Sequence, residues 1–162
     1  TLMGCTFRST AGGRQGKVKW GSSLVLINRR TGEVVARRVV KCDTLLMRAR
    51  GLMFRRPPSP DEVYLFVESR ESIALTAIHM LFVFFPIAVL WLNEAHEVVD
   101  RALAQPFGLY YAPSRPARYF VEGSPALLDL VAPGDRLDWD SDEVYAIMMP
   151  GGATGHGAGF QA

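Results

Sequence analysis

Cysteine, histidine and lysine are scarce in this sequence: 162 residues hold two, three and three of them. Cys5 and Cys42 allow at most one internal disulfide, which excludes a disulfide-stapled miniprotein and leaves their pairing open. His79, His96 and His156 are scattered, with neither a paired-cysteine motif nor an HExxH spacing, so no structural zinc site is expected. No Ser-His-Asp, Cys-His or other complete catalytic constellation can be read off, and no cofactor motif is present. The tail PGGATGHGAG is rich in glycine but lacks the GK[ST] ending of a phosphate-cradling loop, so residues 149–162 read as a flexible tail. Internal repeats are absent.

Acidic residues are scarce in the first part of the chain. Residues 1–60 carry thirteen Lys or Arg against Glu33 and Asp43, a balance of +11, whereas the remainder carries five against fourteen, a balance of −9. Such polarity either marks a surface for nucleic acid, lipid headgroups or an acidic partner, or is cancelled when both parts join one fold. Apolar residues at 49% and charged residues at 21% fall in the range of a folded soluble protein.

The order of elements follows from turn chemistry and apolar patterning. Residues 1–22, with five glycines and little apolar periodicity, read as a flexible lead-in. Its opening, TLMGCT, sets Leu2, Gly4 and Cys5 as a lipoprotein processing site would. No apolar segment precedes them in the residues given, so a signal peptide is not expected within this chain and a processed or truncated start is the simpler reading. From residue 23 to 148 a single domain is expected. LVLINRRTGEVVARRVV forms a hairpin turning at residues 28–32. Asp43 caps a short helix over residues 45–50 that ends at Gly51. VYLFV, HEVVDRALA, GLYY, ARYFVE and RLDW read as strands, and Ser124-Pro125 opens a second short helix stopped by Pro133 and Gly134. The fold class is α+β, mainly β: one curled mixed or antiparallel sheet, or a small barrel, with two short helices.

Residues 73–92 form the one long apolar stretch, interrupted only by Thr76 and His79 and nominally long enough to span a bilayer. Its content of Phe, Val and Ile, its Pro86 and its flanking Glu71 and Glu94 favour two buried core strands, 76–85 and 87–92, over a transmembrane helix. A lipid-facing or partner-facing patch is the third reading.

RARGLMFR at 48–55, HMLFVFFPIAVLWLN at 79–93, VVDR at 98–101, PARYFVEGSP at 116–125 and PGDRLDW at 133–139 occur in the order of a known family. Over about residues 40–140 the chain resembles the bacterial and archaeal domain of unknown function 192. That resemblance implies a compact, mainly β domain, often exported in bacteria, with no established activity. The family pattern has an acidic residue after its central proline, where this chain reads Pro86-Ile87-Ala88. It also has Lys and Asn before that proline, where this chain runs Met80 to Phe85 without either, and a turn glycine near the position of His96.

Seven residues stand out as ligand-binding candidates. Arg50, Phe54 and Arg55 form a basic and aromatic group suited to an anionic ligand or partner. His79, Trp91, Tyr119 and Glu122 could border a concave site on the sheet. Three functions are therefore carried forward. The first is a non-enzymatic domain binding a small ligand or a protein partner; the second, a nucleic-acid or anionic-surface binder using the basic first third. The third is a hydrolase-like enzyme pairing His79 with Glu122 or Asp100. Cys42 reads as an inert buried thiol.

Overall fold

A computed structural model describes residues 24–42 and 52–141 of the chain. The expected lead-in, the helix over 45–50, the Gly-rich tail, Cys5 and Arg50 lie outside the described residues. The elements are β1 (Leu24–Asn28), β2 (Val34–Ala36), β3 (Arg38–Cys42), β4 (Glu62–Val67), β5 (Ile87–Leu92), β6 (Val98–Ala104), β7 (Tyr119–Gly123), helix α1 (Leu127–Leu130) and β8 (Leu137–Ser141). They form a three-stranded sheet ordered β2-β1-β8 and a five-stranded sheet ordered β3-β4-β7-β5-β6. Every pair is antiparallel except β3 with β4.

The expected hairpin exists, with Gly32 at φ 77° donating to the Asn28 carbonyl at 2.7 Å. Its returning arm breaks at Arg37. Residues before the break stay with β1, whereas Arg38 N–H binds the Asp61 carbonyl at 2.9 Å and starts the parallel pairing with β4. That break gives two sheets instead of the expected single curled sheet or closed barrel: β3 and β6 are separate edges of the larger sheet. Among the described residues there is one short helix, of four residues. Its lead-in is a tight turn in which the Ser124 carbonyl accepts from Leu127 N–H at 3.1 Å.

Side chains alternate across each strand, so the larger sheet has two faces. On one face, Val63, Leu65, Ala88, Leu90, Leu92 and Val121 pack with Leu26, Ala36 and Leu137 of the smaller sheet and with Leu127 of α1. On the other, Tyr64, Phe66, Ile87, Val89, Trp91 and Phe120 are covered by Leu52, Ile78, Met80 and Val83, which come from loops. β5 is buried at every position because it serves both faces. Each large side chain so buried contributes roughly 1.5–3 kcal/mol.

The expected strand over 76–85 is absent. Trp91 Nε1–H donates to the Thr76 carbonyl at 2.8 Å, Ile78 bridges Tyr111, and Met80 N–H reaches the Gly108 carbonyl at 2.7 Å. The segment turns at Phe82, which sits at φ 58°, and Pro86 has no N–H for a ladder. Met80 and Val83 point inward, leaving Leu81, Phe82 and Phe84 exposed. The expected GLYY strand likewise reduces to the bridge at Tyr111. No helix among the described residues is long and apolar enough to cross a membrane.

A buried polar knot ties the two sheets. Asn28 Nδ2 donates to Asp135 Oδ2 at 2.7 Å, Ala132 N–H donates to the same oxygen at 2.9 Å, and Arg30 Nε pairs with Oδ1. The Asp135 carbonyl also accepts from Val98 N–H, which joins the knot to β6. The hydrogen bond from Arg30 leads in holding the Asp135 carboxyl at about 2, against the effect of burial.

Gly123 lies where α1 meets the sheet. A Cβ there would stand 2.6 Å from Leu127 Cδ1 and 3.0 Å from Val63 Cγ1. Gly123→Ala is therefore expected to lose about 1–3 kcal/mol through overpacking, read as a lower urea midpoint at unchanged m-value.

Candidate functional site

Where β5 begins and β6 ends, three loops are laced together by their backbones. Phe54 N–H donates to the Phe82 carbonyl at 3.0 Å, and Phe107 N–H donates to the Met80 carbonyl at 3.1 Å. Gly108 belongs to this lacing: a Cβ on it would lie 2.5 Å from the ring of Tyr111, whose hydroxyl accepts from Gln105 N–H at 2.9 Å. The loops therefore hold fixed positions, and they display aromatic rings.

Phe54 stacks on Phe82 at 4.9 Å between centroids, Phe84 lies 6.4 Å from Phe54, and Phe107 meets Phe84 edge-on at 5.3 Å. These rings are 61%, 46%, 60% and 52% exposed for Phe54, Phe82, Phe84 and Phe107. Leu109 and Tyr110, which follow Phe107 in the same loop, are exposed as well. Phe54, Phe82 and Phe107 have φ of 55°, 58° and 62°. For a bulky residue this left-handed backbone costs about 1–2 kcal/mol, and a ring pair returns about 0.5–1.5 kcal/mol. Burial does not account for three strained phenylalanines that remain half in solvent.

Next to Phe54 in the chain, Arg55 places its guanidinium 5.4 Å from the centre of the Tyr64 ring. Tyr64 is the cross-strand neighbour of Glu122, which faces the same apolar layer and has Val89 on its other side. Glu122 is buried, and among the described residues no hydrogen bond or ion pair holds its carboxyl. Desolvation alone pushes that carboxyl up to about 7. At neutral pH it is thus poised between an O–H donor and a carboxylate.

Of the seven sequence candidates, Phe54, Arg55 and Glu122 gather at this end, the last two through Tyr64. Trp91 is a core side chain that pins residue 76 to the sheet. His79 is exposed between buried Ile78 and Met80. Asp100, the other imagined partner of His79, accepts from Ser114 N–H at 2.7 Å and Arg101 N–H at 2.8 Å as a loop anchor. Tyr119 lies at the far end of β7.

There Tyr119 joins a cluster that sequence reasoning did not assemble. His96, at φ 63°, stacks on Trp139 at 4.2 Å, meets Tyr119 edge-on at 5.0 Å, and shares a 2.9 Å hydrogen bond with Asp138 through Nδ1. Arg29 holds Asp138 at 2.9 Å and Asp140 at 2.7 Å. Burial is the largest influence on Asp138 and raises its carboxyl, yet the hydrogen bonds from His96 and Arg29 leave it lowered. Arg29, Arg30 and Arg38 of the basic third are all paired with carboxylates from the acidic remainder, Arg38 with Glu62 at 3.5 Å. Among the described residues, no three His, Cys, Asp or Glu side chains gather as metal ligands would.

Residues 26–139 match the family model for domain of unknown function 192, described as an uncharacterized conserved region, and the chain belongs to this family. It is similar to a UPF0127 protein of Pyrococcus furiosus, 36% identical over 117 residues that cover 71% of this chain and 97% of the relative. A UPF0127 protein of Thermococcus kodakarensis is 34% identical over 128 residues, 78% of this chain and 80% of that one. Among solved structures, a candidate transcription regulator from Sinorhizobium meliloti superposes with a TM-score of 0.63 at 23% identity, covering 76% of this chain and 98% of that one. A protein of unknown function from Novosphingobium aromaticivorans superposes with a TM-score of 0.59 at 21% identity, covering 84% and 100%. These two likenesses show the fold.

Glu122 gives the site a signature in pH. Below the ordinary glutamate value of 4.5 the folded and unfolded chains are both protonated there, so its contribution to stability is complete. As pH rises from 4.5 through about 7 the unfolded chain gives up its proton first, and stability falls. Glu122→Gln is expected to remove this slope and to be more stable at pH 8 by roughly 3 kcal/mol. Urea unfolding of both proteins at pH 5 and pH 8 measures it, and an equal slope in the variant would refute the assignment.

Proposed function

We propose that this chain is a non-enzymatic binding domain, for a small ligand or a partner, whose contact surface is the rim of Phe54, Phe82, Phe84 and Phe107. One observation carries the reading: three of these rings, Phe54, Phe82 and Phe107, are exposed by about half and held on a backbone conformation that costs energy and that hydrogen bonds between loops maintain. Strain of this kind persists where a site needs a side chain displayed, and large exposed aromatics are the usual anchors of binding surfaces. Arg55 and Arg56 beside the rim suit an anionic group of what binds.

A rim kept for binding and a rim kept for folding respond differently to substitution. Glycine accepts φ 58° without strain, so Phe82→Gly is expected to leave stability within about 1 kcal/mol of the parent, relief of strain offsetting the lost stack. The same change is expected to weaken binding of the apolar anionic dye anilinonaphthalene sulfonate about tenfold. Unfolding midpoints and dye titrations read the two effects. A large loss of stability with unchanged dye affinity would make the rim structural and defeat the proposal.

A further inference from the structure

We infer that the surface this rim contacts is that of an anionic phospholipid bilayer, an inference that rests on reading the rim as a binding surface. A concave ligand site covers the side chains that line it. Here the rings stand out, and Leu109 and Tyr110 beside them are 75% and 68% exposed. Phe54, Phe82, Phe84 and Phe107 lie together on loops at one end of the larger sheet, and Leu109 and Tyr110 follow Phe107 in its loop, so these loops can meet a surface end-on. Aromatic and aliphatic side chains carried in this way settle at the boundary between headgroups and acyl chains.

The charge pattern selects the kind of bilayer. Segments 52–60, 72–93 and 102–114, which supply the rim and its supports, contain no Asp or Glu, and their full charges are those of Arg55 and Arg56. Glu71, Glu94 and Glu97 lie by the turn from β5 to β6, at the opposite end of β5, and Asp138 and Asp140 lie on β8. Glu62, at the start of β4, faces Arg38. An apolar edge with Arg55 and Arg56 inside its segments, and with exposed Asp61 at its margin where β4 begins, complements acidic headgroups, each arginine being worth about 1 kcal/mol near such a surface. Fixed loops add to this, because the rings need no ordering when they insert.

Flotation of the full chain with vesicles tests the inference, using equal parts phosphatidylglycerol and phosphatidylcholine beside phosphatidylcholine alone. Binding to the acidic vesicles is expected, weakened by high salt. Phe82→Ser and Phe84→Ser are each expected to reduce it about tenfold, and Phe84→Trp to keep it. Arg55→Gln and Arg56→Gln are each expected to reduce it about fivefold. Dye binding that requires Phe82, without flotation on either vesicle, would overturn the bilayer and leave the contact surface standing. Loss of both would remove both. Flotation indifferent to the phenylalanines, or a dimer in sedimentation equilibrium that requires Phe84, would overturn the bilayer as occupant.

Discussion

The complete burial of β5 is the constraint on which the rest of this structure depends. A strand with apolar side chains on both faces needs two covers, and this chain supplies them in different ways. One face receives the three-stranded sheet and Leu127 of α1. The other receives loops, whose Leu52, Ile78, Met80 and Val83 do what a second layer of regular structure does elsewhere. Loops that cover a core must point apolar groups inward, and their intervening residues then point outward. In residues 80–86 those intervening residues are Leu81, Phe82 and Phe84, so the covering of one face and the display of the rim have a common origin.

Two polar arrangements keep this geometry, and a third strains it. The knot of Asn28, Arg30 and Asp135 joins the hairpin to the turn before β8 and, through the Asp135 carbonyl, to β6. The hydrogen bond from Trp91 to the Thr76 carbonyl fixes the start of the covering loop against the strand it covers. Glu122 is the opposite case: a carboxyl placed in the apolar layer without a partner among the described residues, at a cost to the folded state that builds as pH rises from 4.5 and is complete above about 7. Glu122 lies beside Tyr64 in the sheet, and Arg55 sits over the Tyr64 ring.

Much of this architecture was legible in the sequence. Turn residues and β-branched runs located the hairpin, β4, β6, β7 and β8, and Ser124-Pro125 located the one described helix. The ordered motifs from RARGLMFR to PGDRLDW identified the family, which the match over residues 26–139 shows. The strand over 76–85 was misread because a continuous apolar run has no period, and a loop buried on alternate residues looks the same as a buried strand. The break at Arg37, which yields two sheets, has no proline or glycine to announce it. In the site, Phe54 and Arg55 could be chosen from their neighbours in sequence. Phe82 and Phe107 could not, because a positive φ at phenylalanine contradicts residue preference and is imposed by hydrogen bonds between loops, and Phe84 lay in a run with no period to show which side chains face out. His96 and Asp138 meet only because β8 returns beside the turn from β5 to β6, and 42 residues separate them.

The central claim is that the long apolar run divides at Pro86 into a strand inside the core and a rim outside it. Nuclear magnetic resonance of the aromatic side chains with a soluble paramagnetic agent tests this directly. The ring protons of Phe54, Phe82, Phe84 and Phe107 are expected to broaden strongly, while the Trp91 indole N–H and the stacked rings of Phe66 and Phe120 stay sharp. Rim rings as well protected as Phe66 would contradict the account, for the run would then be core on both sides of its proline.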